Sequence, residues 1–231
     1  MKVAVIPARG GSKRIPRKNI KEFCGKPMIA WSIGAALKSG CFDRLIVSTD
    51  DAEIAAVAKE WGAEVPFMRP TDLSDDHTGT IPVIAHAIRW LQQQGEAPEH
   101  VCCLYATAPF VESQDLIKGF QQLQEQRIDY VFSVTSYAFP IQRAIRITDS
   151  GRVVMFNPEH FNSRSQDLEE AWHDAGQFYW GTAEAWLENR IIFGEHSAPV
   201  ILPRHRVQDI DTLEDWRRAE LMFAALQEME L

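Results

Sequence analysis

The sequence predicts an α/β fold with a doubly wound, mostly parallel sheet, and three observations carry that prediction. Val3-Ala4-Val5-Ile6 is an unbroken apolar run with polar flanks, short enough for a strand buried on both faces, as in a parallel sheet. The segments that follow alternate strand, helix, strand, helix, strand, the signature of right-handed crossovers. Arg9, Asp50 and Arg69 all fall where predicted strands end, and doubly wound sheets bind ligands beyond the carboxyl ends of their strands.

Taken in order, Pro7 stops the first strand, and Gly10-Gly11 allows a tight turn with close backbone approach to a ligand. Gly25-Lys26-Pro27 opens a helix in which Met28, Ile29, Ile33 and Leu37 recur at helical spacing until Gly40. Arg44 to Ser48 reads as the second strand. Asp50-Asp51 offers an N-cap for a helix from Ala52 to Trp61, which Gly62 ends, and Val65 to Met68 reads as a third strand. The polar run TDLSDDHTGT leads to an amphipathic helix over Pro82 to Leu91 with Thr80 at its mouth, and Val101 to Tyr105 is a fourth parallel strand. Ser113 caps a helix to about Glu125, and Tyr130 to Val134 is another apolar strand.

The texture then changes. Between Tyr137 and Asp174 come the strand pieces Ala144 to Ile147 and Arg152 to Met155, joined by Asp149-Ser150-Gly151. We read 137–174 as a small inserted hairpin subdomain within one domain spanning 1–231. Asp174 to Trp180 re-enters the core as a strand, a short helix covers Ala183 to Asn189, and Val200 to Leu202 is the last strand. A final helix from Leu213 to Met229 puts Trp216, Ala219, Met222, Phe223 and Leu226 on one face.

Charge singles out the amino end. Residues 1–26 hold eight Lys/Arg against the single acid Glu22, a local +7 on a chain of net −8, so the remainder carries −15. A basic loop on an acidic protein suits a small phosphate ligand better than DNA or RNA, although most basic runs are simply solvated. Two familiar phosphate loops are absent: Gly25-Lys26 is followed by Pro27, and no G-x-G-x-x-G follows a strand. No run approaches the ~20 apolar residues of a membrane span, and Met1-Lys2 leads straight into a strand without a leader pattern. The expected compartment is the cytoplasm. Cys24, Cys41, Cys102 and Cys103 show no C-x-x-C spacing and receive no chemical role.

Near the carboxyl end, Asp209 and Asp211 alternate with Ile210. If extended, that segment turns both carboxylates one way, close enough to hold one hard cation such as Mg²⁺. A competing role is helix capping, because Asp211 precedes Thr212-x-x-Asp215.

The motif Ile6-Pro7-Ala8-Arg9, Ser12-Lys13, Pro16, Lys18-Asn19 resembles the opening of the cytidylyltransferases that make CMP-activated acidic sugars. Leu45 to Asp50, Arg69-Pro70 and Asp209-Ile210-Asp211 match further along, so the resemblance covers nearly the whole chain. It implies a Rossmann-like nucleotidyltransferase fold that transfers CMP from CTP to the anomeric hydroxyl of a nonulosonic acid, with Mg²⁺ as cofactor and Asp209 and Asp211 as its ligands. Tyr105, Ala106 and Ala108 depart from the Gln-Pro-Thr-Ser-Pro of sialate-activating members, while "FPIQRA" and "GQFYWG" point to the pseudaminic acid branch.

By the same resemblance Ala8, Arg9, Gly10, Gly11, Ser12, Lys13, Lys18 and Asn19 meet the nucleotide, with Arg69 and Thr80 as candidates for ribose and base. Arg9, Lys13 and Asp211 are the expected catalytic residues, with Asp211, or a metal-bound hydroxide it orients, taking the hydroxyl proton. Tyr105, Gln142, Arg143, Arg164 and Gln177 are the sugar candidates, since a carboxylate can meet an arginine through two parallel hydrogen bonds; Arg146 is a further cation of the insert. The insert is expected to reach a second subunit, implying a homodimer. The alternatives are a sister enzyme charging N-acetylneuraminic or 3-deoxy-manno-octulosonic acid, and a nucleotide-binding sensor without turnover.

Overall fold

The computed structural model describes residues 1–229. In chain order its elements are β1 (Lys2–Pro7), β2 (Glu22–Phe23), β3 (Lys26–Pro27), α1 (Met28–Ser39), β4 (Arg44–Ser48), α2 (Ala52–Glu60), α3 (Thr80–Gln93), β5 (His100–Leu104), α4 (Ser113–Gln126) and β6 (Tyr130–Ser136). There follow β7 (Ile145–Ile147), β8 (Val153–Met155), β9 (Trp172–Thr182), α5 (Ala183–Leu187), β10 (Ser197–Ile201) and α6 (Leu213–Met229). Among the described residues no helix is long and apolar enough to cross a membrane.

The central sheet has the order β10-β6-β9-β5-β1-β4. β4, β1 and β5 run parallel and so do β6 and β10, while β9 pairs antiparallel with both β5 and β6. The predicted doubly wound, mostly parallel sheet is therefore present, with one reversed strand near its middle. Val3 to Ile6 are 0% exposed because β1 feeds both faces. Ala4 and Ile6 pack with Ile29, Ile33 and Leu116, and Val3 and Val5 with Ile84, Ile88 and Trp186.

A third cluster positions the functional end of the molecule. Ile15 from the basic loop, Phe23, Met28, Ile210 and Trp216 pack together, with Met222, Phe223 and Leu226 of α6 against them. Burying a side chain such as Ile15 stabilises by about 1.5–3 kcal/mol, so the loop is pinned by its own apolar residue. β2 and β3 form a hairpin not foreseen from the sequence; its two turn residues, Cys24 (φ 48) and Gly25 (φ 84), both lie in the left-handed region, as a type I′ turn requires.

Some expectations are corrected. The predicted third strand at 65–68 is reduced to the bridges Ile46↔Glu64 and Thr49↔Met68, because Pro66 has no N–H to continue a ladder. The cap of α4 is the extended Glu112, and Ser113 is the first helical residue with no side-chain cap bond. α3 begins at Thr80 rather than Pro82; proline is tolerated in a first turn, where its N–H has no partner to lose.

β9 carries a bulge. Phe132 pairs with Tyr179 but Val134 with Asp174, so the extra β9 residues loop out opposite Ser133. Gly176 supplies the left-handed bend at φ 62, and Ser133 Oγ accepts the N–H groups of Gln177 and Phe178 at 3.3 Å each. Between β6 and β9 the expected hairpin is present as β7 paired antiparallel with β8.

Candidate active site

A crevice of about 530 Å³ opens beyond the carboxyl ends of β1 and β5, walled by the basic loop, Asp76, Thr78, Gly79, Thr80 and Asp211. The loop is held from behind. Asn19 Nδ2 donates to the Arg9 carbonyl at 2.9 Å, and Asp50 Oδ1 accepts the Gly10 N–H at 2.9 Å. Asp51 accepts from both terminal nitrogens of Arg17, at 2.5 and 2.9 Å, and also caps α2 through the N–H groups of Glu53 and Ile54. The Arg17 bond above all, aided by those two backbone donors and opposed by burial, holds the Asp51 carboxyl down to about 2. A Cβ on Gly10 would lie 2.7 Å from Asp51 Oδ2, so glycine is required there by close approach. Gly11 faces nothing within 4 Å, and its predicted backbone role has no steric counterpart.

Facing the crevice are Arg9, Ser12, Lys13, Arg14, Lys18, Asn19, Arg69, Thr80 and Tyr105. Ala8, Gly10 and Gly11 lie outside that lining. Arg9 Nη1 donates to Asp76 Oδ1 and to the Asp75 carbonyl, both at 2.7 Å, and Lys13 Nζ pairs with Asp76 Oδ2. Lys18 Nζ donates to the Ile210 carbonyl at 2.6 Å and to Asp211 Oδ1 at 3.3 Å, while Arg14 Nη2 reaches the same oxygen at 2.9 Å. The amino-end cations and the carboxyl-end aspartate thus meet across more than 190 residues of sequence.

Arg69 is only 6% exposed. It braces the end of β4 through Ser48 and the 71–73 turn through the Leu73 carbonyl, and burial lowers its pKa. Tyr105 Oη lies 2.8 Å from Thr80 Oγ1; burial pushes the Tyr105 phenol up to about 12, so it stays protonated as a hydrogen-bonding group.

The capping duty at α6 falls to another pair. Asp215 accepts the Asp211 and Thr212 N–H groups at 3.2 and 2.8 Å, and Thr212 Oγ1 accepts the Asp215 N–H at 3.2 Å. Neither the Asp209 nor the Asp211 side chain is used as the cap. Desolvation first, then the neighbouring Asp211 charge, raises the Asp209 carboxyl above its ordinary range, a repulsion that a cation between them would relieve. Asp211 lines the crevice and Asp209 does not. Among the described residues no three His, Cys, Asp or Glu side chains are grouped to hold a metal alone; two carboxylates fit an ion that takes its remaining ligands from water and substrate phosphates.

The sugar candidates divide. Tyr105 is in the crevice. Gln177, 3% exposed, spends Nε2 on the Arg206 carbonyl at 2.6 Å, and its Oε1 has no partner among the described residues. Gln142 donates to the Glu169 carbonyl at 2.9 Å and Arg164 holds Asp167 at 2.7 Å. With the exposed Arg143 and Arg146, these two sit on the β7–β8 arm, outside the crevice lining. Sequence reasoning placed Arg14 in the basic loop without giving it a role of its own, and missed the turn residues Asp76, Thr78 and Gly79. The polar turn-forming run was their signal, and its consecutive aspartates are the part that faces the cations.

The sequence profile of the family described as Cytidylyltransferase matches residues 3–219. The chain is 48% identical over 221 residues to the pseudaminic acid cytidylyltransferase of Campylobacter jejuni subsp. jejuni serotype O:2, covering 96% of this chain and 95% of that one. It is 34% identical to the CMP-N,N'-diacetyllegionaminic acid synthase of Legionella pneumophila subsp. pneumophila, covering 98% and 97%. Among solved structures, CMP:2-keto-3-deoxy-manno-octonic acid synthetase complexed with CTP matches with a TM-score of 0.70 at 16% identity, covering 100% of this chain and 99% of the other. With a family profile spanning nearly its whole length and relatives this similar from end to end, the chain belongs to the cytidylyltransferase family.

Proposed function

We propose that this enzyme transfers CMP from CTP to the anomeric hydroxyl of pseudaminic acid, releasing pyrophosphate. The observation that carries the reading is the meeting of Arg9, Lys13, Lys18 and Asp211 in one crevice at the strand ends, in a chain 48% identical to a pseudaminic acid cytidylyltransferase. The sugar hydroxyl oxygen bonds to the α-phosphorus as the bond from that phosphorus to the bridging oxygen breaks, and its proton passes to Asp211. Negative charge builds on the phosphate oxygens. Arg9 and Lys13 meet it as preplaced donors that need not reorganise. Lys18 ties the loop to the Asp211 segment through the Ile210 carbonyl, keeping phosphate cradle and carboxylate in fixed relation. Asp209 and Asp211 would hold Mg²⁺, which when bound supplies charge neutralisation at the substrate phosphates.

The sugar half of the site draws on a second copy of the chain. Phe139, Ile147 and Phe161 are 82%, 75% and 69% exposed on the arm, an apolar surface typical of an interface, and Arg143 and Arg164 stand beside it. A homodimer in which each arm covers its partner's crevice brings these arginines to the sugar carboxylate. The expected setting is the cytoplasm, where CTP is available. Purified protein with Mg²⁺, each NTP and a panel of nonulosonic acids, read by pyrophosphate release, tests the reading. Release with CTP and pseudaminic acid above all other pairs is expected; preference for another acid or another NTP defeats it.

A further inference from the structure

Asp76 has no part in the chemistry above, yet it is the acid that touches Arg9 and Lys13. A guanidinium carries five N–H donors, two on each terminal nitrogen and one on Nε. Both protons of Arg9 Nη1 are committed to the 75–76 turn, to Asp76 Oδ1 and the Asp75 carbonyl at 2.7 Å each. Nε and Nη2 make no bond among the described residues. Lys13 likewise gives one of its three donors to Asp76 Oδ2. The other edge of each cation is left for a ligand.

The turn that carries Asp76 is itself fixed. Asp75 Oδ1 accepts the N–H groups of His77 and Thr78 at 3.0 and 2.7 Å and the Thr78 hydroxyl at 2.6 Å, an Asx turn. That turn runs directly into α3, whose first residues Thr80 and Val83 line the same crevice. Long cationic side chains lose several torsions on ordering, and a fixed carboxylate that already holds one edge removes that cost before the ligand arrives.

We propose that Asp76 is a positioning residue for the phosphate cradle, holding the Nη1 edge of Arg9 and one donor of Lys13 so that their remaining donors face the triphosphate. The inference rests on the assignment of Arg9 and Lys13 to the phosphates. The opposite possibility has the opposite sign: a carboxylate occupying the phosphate position would compete with the nucleotide, and removing it would tighten binding.

The test compares Asp76→Ala, Asp76→Asn, Arg9→Ala and the double variant Arg9→Ala/Asp76→Ala by steady-state kinetics, calorimetric CTP binding and thermal melting. Asp76→Ala is expected to lower kcat about tenfold without tightening CTP binding or shifting the melting temperature. Asp76→Asn should recover part of the loss, since its amide oxygen still accepts from Nη1. The double variant should be no slower than Arg9→Ala alone, because Asp76 acts largely through Arg9. Unchanged turnover in Asp76→Ala, tighter CTP binding, or losses that multiply in the double variant would each overturn the inference while leaving a crippled Arg9→Ala to support the phosphate assignment. A normal Arg9→Ala overturns that assignment and the inference with it.

Discussion

The basic loop and the β7–β8 arm both carry arginines that the proposed function uses, and they are built in opposite ways. In the loop, Arg9, Lys13, Arg14, Arg17 and Lys18 each pair with an acid of the same chain. Ile15, 0% exposed, anchors the backbone between them. On the arm, Arg143 and Arg146 make no ion pair among the described residues, and Phe139, Ile145 and Phe161 are more than half exposed. On the proposed function, the loop is a half-site whose cations are already placed by the chain's own acids. The arm leaves polar and apolar surface uncovered, which is the physical ground for the proposal that a second copy covers it.

The contrast can be broken at either end. The largest expected effect is at the anchor: Ile15→Ala removes the loop's one buried apolar contact and should cost about 2–5 kcal/mol of stability, measured by chemical denaturation. A loss under ~1 kcal/mol would mean that the ion pairs alone hold the loop. Next, Lys13→Met should lower kcat by on the order of 10²-fold if Lys13 meets transition-state charge; near-normal turnover would remove that role. On the arm, Arg143→Ala should raise the KM for the sugar about tenfold and leave that for CTP unchanged. A paired Phe139→Asp, Phe161→Asp variant should sediment as a monomer with the same selective loss for sugar. If that variant keeps its oligomeric state and its sugar KM, the arm is not an interface and the contrast fails.

The smallest effect is a pH signature of the brace behind the loop. Asp51 has its carboxyl held at about 2 against an ordinary 3.8. A carboxylate depressed on folding stabilises fully above its unfolded value, and that contribution is lost as pH falls through the folded one. Asp51→Asn keeps an N-cap oxygen, asparagine capping about as well as aspartate. It should therefore cost about 1 kcal/mol at neutral pH, and the difference from wild type should close between about pH 4 and pH 2. A pH-independent difference would assign the loss to the cap and not to the Arg17 pair.

Much of the architecture was legible because it is local. The Val3–Ile6 run, the Gly40 stop and the Asp51 cap each depend on neighbours within a few residues, and each appears where expected. Residues 65–68 misled because an apolar run with one proline still reads as a strand until the missing N–H is counted. The reversal of β9 was hidden because burial on both faces gives an antiparallel strand the same apolar run as its parallel neighbours. At the site, the motif gave the cations and the paired aspartates. It could not say that Thr212 and Asp215 do the capping, a duty that the side chains of Asp209 and Asp211 leave to them.

By itself, then, the sequence determined the layered α/β class, the basic loop at the end of the first strand and the chemistry its residue types favour. Only the tertiary structure decided which acid meets which cation: Asp76 with Arg9 and Lys13, Asp51 with Arg17, Asp211 with Arg14 and Lys18. The physical reason is reach. Periodicity and caps act over one or two turns of chain, whereas these pairs join residues 34 to 197 positions apart, brought together by the packing of the sheet and of α6 against the loop.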